Sequence, residues 1–235
     1  MVENETNYIY KGFQNIMVKL LLPIPIAYLL GSIPFGLLIV HLISGQDVRT
    51  IESGRTGGTN AMRAAGILAG LVTALLDILK GAAAIWISRA LSDGNDWVSA
   101  ICGLLAVIGH NYSAFLIRKD ENGKLCFSGG AGGATTLGVA IGLWAQSWLI
   151  IFPLAAIFYV VVGYASLTTI SIALSATCVF LCRAIQGKTP WAYLLFSLGA
   201  LAAVLVALKP NLQRLKDGTE RRVNLLKHLI NRRVV

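Results

Sequence analysis

Five apolar runs, at about residues 20–43, 66–90, 97–117, 134–185 and 190–208, leave this chain few ways to fold. About 20 apolar residues are enough for a helix to cross a bilayer, so every run is long enough to span, and the fourth is too long to span once. Of the 235 residues, 56% are hydrophobic and only 13% charged, against about 25% charged in soluble domains. Loops and tails leave no room for a separate soluble catalytic module. The expected fold class is therefore all-α, a polytopic integral membrane protein. The 24 glycines follow no collagen period and suit helices whose backbones approach closely in lipid.

Positive charge decides how many times the fourth run crosses. The loop at about 44–65 carries Arg49, Arg55 and Arg63, the segment after the third run carries Arg118, Lys119 and Lys124, and the chain beyond 208 carries eight more Lys and Arg. Three short spans in 134–185 put all fourteen of these, out of 20, on one face. Two spans would set the basic tail against the basic loops, contrary to the tendency of Lys and Arg to stay cytoplasmic. The expectation is seven transmembrane helices, N-terminus outside and C-terminus cytoplasmic, with Pro153 and the Gly163–Ser166 stretch as punctuation in the long run. Residues 1–19 read as an N-terminal tail, 20–215 as one membrane domain and 216–235 as a basic cytoplasmic tail. The net charge of +9 reads as topogenic charge, with no nucleic-acid partner. Cys102, Cys126, Cys178 and Cys182 have no CxxC spacing and read as packing residues.

Two segments beside the spans carry chemistry. The first, from Asp47 to Arg63, has Gly54, Gly57 and Gly58 for turns in which successive N–H groups converge on an anion. Ser53, Thr56, Thr59 and Asn60 add hydrogen-bonding groups, and Arg49, Arg55 and Arg63 add guanidinium forks suited to phosphate. The alternative is a flexible basic loop. The second, Phe127 to Gly138, is a glycine loop opening a span, either a phosphate site at a helix N-terminus or a helix-packing surface; it lacks the ending of a Walker loop. Within the second run Asp77 and Lys80 share a helical face, as a site or as a structural lock. His110 closes the third run as a general base or as a residue that holds a loop. The three histidines have no metal-ligand spacing, so neither metal nor cofactor is expected.

Together these residues carry a resemblance. Tyr28-Leu-Leu-Gly-Ser-Ile-Pro-Phe-Gly36, the Arg49–Arg63 loop, Asp77-Ile-Leu-Lys-Gly81, Gly109-His110, the Gly129–Gly138 loop, Gly163-Tyr-Ala-Ser166 and Asn211-Leu-Gln-Arg-Leu215 with Gly218-Thr-Glu220 resemble, in order and spacing, the bacterial acyl-phosphate:glycerol-3-phosphate acyltransferases, the PlsY family. The resemblance covers about residues 25–220. It implies a multi-pass enzyme of the bacterial plasma membrane, its active site facing the cytoplasm, that moves a fatty acyl group from acyl phosphate to the sn-1 hydroxyl of glycerol 3-phosphate. It implies Ser53, Lys80, His110 and Asn211 as catalytic residues. It implies Arg49, Arg55, Thr59, Asn60, Arg63, Gly129, Gly130, Gly132, Thr135, Ser166 and Arg214 as substrate-binding residues, with phosphate charge met by Arg49, Lys80 and Arg63.

The chain departs from the family pattern at several positions. Arg55 stands at an amide position of the first loop, Ser128 and Ala131 replace two lysines of the glycine loop, and Leu208 replaces a histidine three residues before Asn211. About nine extra residues lie around Arg118–Lys124. Arg55 is expected to supply one lost charge from the opposite loop. The alternatives are a divergent homologue with another acceptor or with lipid-phosphate binding alone, and a small transporter relaying protons through Asp77 and Lys80. The transporter reading calls for inverted repeats, and none is evident.

Overall fold

A computed structural model describes Gly12 and residues 14–223. Most of the 1–19 tail and of the basic tail lies outside the described residues. The described chain is helical apart from a two-stranded antiparallel ribbon, Arg118–Lys119 against Leu125–Cys126. The ribbon is the inserted segment, closed where Asp120 Oδ1 accepts from the N–H groups of Asn122 and Lys124.

The first span, Gln14–Ser44, is broken in its middle. The residue before a proline is driven out of the helical region, so Ile33 turns to ψ 118° and helix α1 (Pro23–Ser32) stops before α2 (Phe35–Ser44) begins. Such a break frees carbonyls that lipid cannot satisfy. Side chains from outside the first span satisfy them: Ser113 Oγ, in the turn after residue 111, donates to Ser32 O at 2.6 Å and Lys80 Nζ to Ile33 O at 2.8 Å. Helix α3 (Gly58–Ala65) follows the first loop, and α4 (Ile67–Leu91) and α5 (Asp96–Asn111) make the next two crossings.

The long fourth run divides into three helical pieces, α6 (Gly133–Leu143), α7 (Trp148–Ile157) and α8 (Ala165–Ile185), before α9 (Trp191–Ala207) and α10 (Lys209–Lys216). Its breaks fall at Trp144, in extended conformation, and at Gly163, left-handed at φ 74°. Pro153 does not punctuate the run, because α7 passes through it. In a membrane helix local 3₁₀ and π adjustments absorb the bond a proline removes. Here a 3₁₀ turn at Ala145–Ser147 precedes α7 and a π turn at Phe158–Val162 follows it. Among the described residues five helices are long and apolar enough to cross a membrane, and six if α9 and α10, bent by 59°, count as one. Helix α6 is apolar but has 11 residues, about 16 Å at 1.5 Å per residue, so length alone does not make it a seventh crossing.

Packing explains how so short a helix is held. Helix α6 lies against α4, where Cβ atoms on Gly81 and Gly138 would collide with the carbonyls of Thr135 and Ile78. Its C-terminal carbonyls, Gly142 O and Leu143 O, accept from Arg89 at 2.9 and 3.1 Å, and Arg89 is itself held by Tyr193 at 2.7 Å. Phe180, Phe196 and Ile85 fill the interior, whereas Leu71, Val160 and Ile185 stand exposed on the outside as lipid-facing residues do. Substituting Gly138→Ala should overpack the α4–α6 contact and cost about 1–3 kcal/mol. A lower melting temperature of the detergent-purified protein would show it; an unchanged one would contradict the contact.

Candidate functional site

The first loop is folded, not flexible. The Asn60 amide donates to the carbonyls of Val48, Ile51 and Arg55 at 2.9–3.0 Å, so one buried side chain fixes the loop's course. Asp47 accepts from the backbone N–H, Nε and a terminal nitrogen of Arg49 at 2.6–3.0 Å. That bonding holds the Asp47 carboxyl below its ordinary pKa and raises the Arg49 guanidinium. Arg49 is thus committed to Asp47 and does not line the cavity described below.

Beneath the loop lies a buried ion cluster. Asp77 Oδ1 is 2.9 Å from Lys80 Nζ and 3.5 Å from His110 Nδ1, and the three residues are 1%, 3% and 5% exposed. Lys80 spends its charge on Asp77 and on the Ile33 carbonyl, which makes it a lock and keeps it off the cavity wall. His110 holds the glycine loop and also lines the cavity. Its carbonyl accepts from Gly130 N–H at 2.8 Å, its ring fills the space a Gly130 Cβ would need, and it also reaches the cavity. Gly129 likewise packs on the carbonyls of His110 and Asn111, and its own carbonyl accepts from Thr56 N–H at 3.2 Å. These two glycines serve close approach and do not line the cavity.

A cavity of about 490 Å³ opens where the first loop, the glycine loop and the C-terminal segment meet. Ser53, Arg55, Thr59, Asn60, Arg63, His110, Gly132, Ser166 and Asn211 line it, so nine of the expected residues come together. Thr135 is buried beside it, and Arg214 lines an adjoining space of about 70 Å³ shared with Ser53, Arg63 and Asn211. Gly132 (φ 91°) leads into α6, whose first residues, Gly133 and Ala134, face the cavity. The opening N–H groups of a helix have no partners within it and favour an anion. The other half of the cavity is apolar, built by Leu71, Ile78, Leu137, Phe152, Val160 and Ile172.

The C-terminal segment closes the polar side. Glu220 accepts from Asn211 Nδ2 at 2.9 Å and pairs with Arg214 at 3.1 Å, Arg221 pairs with Glu52, and Val223 N–H donates to Gly163 O at 2.6 Å. Arg55 donates to Gly130 O at 3.0 Å, to Asn211 Oδ1 at 3.2 Å and to Ala207 O, and burial pulls its pKa down. Sequence reasoning missed Tyr159 and Phe152 on the cavity wall, for which residue spacing carries no signal. Glu220 was within reach, since it lies in a quoted motif. Among the described residues no three of His, Cys, Asp and Glu gather as a metal site.

The comparisons with known proteins agree with one another. The family profile described as glycerol-3-phosphate acyltransferase matches residues 21–218. Glycerol-3-phosphate acyltransferase 2 of Moorella thermoacetica is 36% identical over 205 residues, covering 86% of this chain and 97% of its own. The glycerol-3-phosphate acyltransferase of Geotalea daltonii is 38% identical over 196 residues, covering 83% and 92%. The crystal structure of PlsY, an integral membrane glycerol 3-phosphate acyltransferase, in its glycerol 3-phosphate form superposes with a TM-score of 0.76 at 33% identity, covering 89% of this chain and 98% of that one. Its lysophosphatidic acid form gives 0.71 at 32% identity.

The ion cluster makes a stability prediction. Asp77→Asn leaves Lys80 buried without its counter-ion, a loss of about 3–5 kcal/mol, whereas Asp77→Asn combined with Lys80→Met removes both charges and should cost less than Asp77→Asn alone. Thermal unfolding of the two variants decides this. A double variant less stable than the single one would show that the pair is not the lock.

Proposed function

The chain belongs to the glycerol-3-phosphate acyltransferase family, and we propose that it takes its acyl group from acyl phosphate and delivers it to the sn-1 hydroxyl of glycerol 3-phosphate. It is a multi-pass membrane acyltransferase. The observation that carries the proposed reaction is the divided cavity. Arg63, hydroxyl groups and a helix N-terminus line one part and apolar side chains the other, matching two phosphate-bearing substrates of which one has a hydrocarbon tail.

In this reaction the sn-1 oxygen attacks the acyl carbonyl. A new C–O ester bond forms, the bond from the acyl carbon to the phosphate oxygen breaks, and the hydroxyl proton leaves with the phosphate group, giving lysophosphatidic acid and inorganic phosphate. A mixed anhydride is already activated, so the protein's task is positioning and neutralising charge. Arg63 makes no ion pair among the described residues and meets phosphate. Ser53 and Thr59 supply hydrogen bonds, and so does Ser166, whose buried hydroxyl has no partner among the described residues. Asn211 and His110 hold the polar wall. No cofactor enters the scheme.

The same reading gives seven crossings in the bacterial plasma membrane, N-terminus outside, with the site facing the cytoplasm. It is supported by Arg55 reaching Gly130 and Asn211 and by Arg221 pairing with Glu52, which gather the first loop, the glycine loop and the C-terminal segment at one end. Lys19 pairs with Asp93 at 2.7 Å, away from them.

The purified protein should release phosphate from palmitoyl phosphate only when glycerol 3-phosphate is present. Arg63→Ala removes a charge-assisted contact of about 1.5–3 kcal/mol and should lower kcat/KM ten- to a hundredfold. Phosphate release indifferent to glycerol 3-phosphate would point to another acceptor. For topology, in a cysteine-free background, Gly94→Cys should react with a membrane-impermeant maleimide in intact cells and Asn122→Cys only after permeabilisation. The reverse pattern would invert the orientation.

A further inference from the structure

We infer that Arg55 is the cation that receives a substrate phosphate at the wall formed by the glycine loop and the α9–α10 elbow, supplied from the first loop because the residues of that wall that line the cavity carry no positive charge. The inference rests on the acyl-transfer reading and adds a binding residue to it. The wall at this place is Ala131 and Leu208, both lining the cavity, where the family resemblance leads one to expect a lysine and a histidine. Neither side chain carries charge. The guanidinium of Arg55 arrives there from the opposite side, bound to the carbonyls next to both residues, Gly130 O and Ala207 O, and to Asn211 Oδ1.

Those three partners are neutral. Among the described residues Arg55 forms no ion pair, and the nearby carboxylate of Glu220 is already taken by Asn211 and Arg214. A mostly buried cation without a counter-ion is costly, and a bound phosphate removes that cost. A guanidinium has five N–H groups. Three are used, and the other two have no partner among the described residues. The Gly133 and Ala134 end of α6 faces the same space, so its N–H groups and Arg55 favour the same anion. An arginine acting only as a staple between carbonyls would gain nothing from phosphate.

The phosphate belongs either to glycerol 3-phosphate or to the acyl donor, and kinetics separate the two. We would compare wild type, Arg55→Gln and Arg55→Asn/Ala131→Lys by the KM for each substrate and by the rise in melting temperature that inorganic phosphate produces. Arg55→Gln should raise the KM of one substrate at least tenfold, which identifies the source, and lose the phosphate-induced rise. Moving the cation to the other loop, as in Arg55→Asn/Ala131→Lys, should recover much of both. Unchanged KM values and an undiminished phosphate effect in Arg55→Gln would overturn the inference. Wild type inactive with both substrates would refute acyl transfer instead, and the phosphate-induced shift would then decide Arg55 alone. Should Arg55→Gln fail to fold, Arg55→Asn, which restores the amide of the family pattern and removes the charge, serves with the same readouts: loss of the phosphate effect upholds the inference, and an undiminished effect with both KM values unchanged overturns it.

Discussion

A carboxylate buried inside a helical bundle fixes the geometry of everything above it. Asp77 sits within α4, and in so apolar a setting it persists only with partners. Lys80, one turn away, pairs with it and extends to the carbonyl freed where Ile33 precedes Pro34. His110 touches the same oxygen and, through its backbone, holds Gly130. The broken first helix, the end of α5 and the glycine loop therefore take their positions from one charge. Shifting any of them would leave an ion unpaired in a low-dielectric interior, a penalty of several kcal/mol. That is the physical reason the cavity has a rigid floor although loops form much of its rim.

Much of this was legible in the residues, and what was not has a common cause. Spacing shows which side chains share a face, so Asp77 and Lys80 could be paired from the sequence. It does not show the third partner when that partner is a backbone carbonyl 47 residues away, so the contact of Lys80 with Ile33 lay out of its reach. Arg49 shows the same limit more locally. The Asp47-Val-Arg49 spacing permits the side-chain bonds that form, and counting cations in the loop ignored the acid beside one of them. Gly129 and Gly130 offer the same composition to two uses, anion binding and close packing; the carbonyls of His110 and Asn111 beside Gly129 and the His110 ring beside Gly130 decide for packing. Pro153 looks like punctuation by sequence because a proline removes a helical hydrogen bond, whereas flanking 3₁₀ and π turns let α7 continue.

The cavity shows how a site keeps its character while its parts change places. Positive charge arrives from the first loop and α3 through Arg55 and Arg63, and the glycine loop contributes backbone and helix dipole without lysines. A phosphate responds to the field at its own position, not to the segment that bears the charge. Such an exchange requires the two loops to be in contact, and here Thr56 bonds directly to Gly129.

The brevity of α6 has a thermodynamic consequence. Its 11 residues reach about half of a hydrocarbon core roughly 30 Å thick, and its N-terminal end faces the cavity. The apolar half of that cavity runs out to exposed apolar residues such as Leu71 and Val160, so a hydrocarbon chain seated there need not pass through water. Lifting a sixteen-carbon chain into water would cost about 12 kcal/mol at about 0.8 kcal/mol per methylene, comparable to a whole catalytic barrier reduction. An apolar wall that continues onto the lipid-facing surface spares a substrate tail that cost.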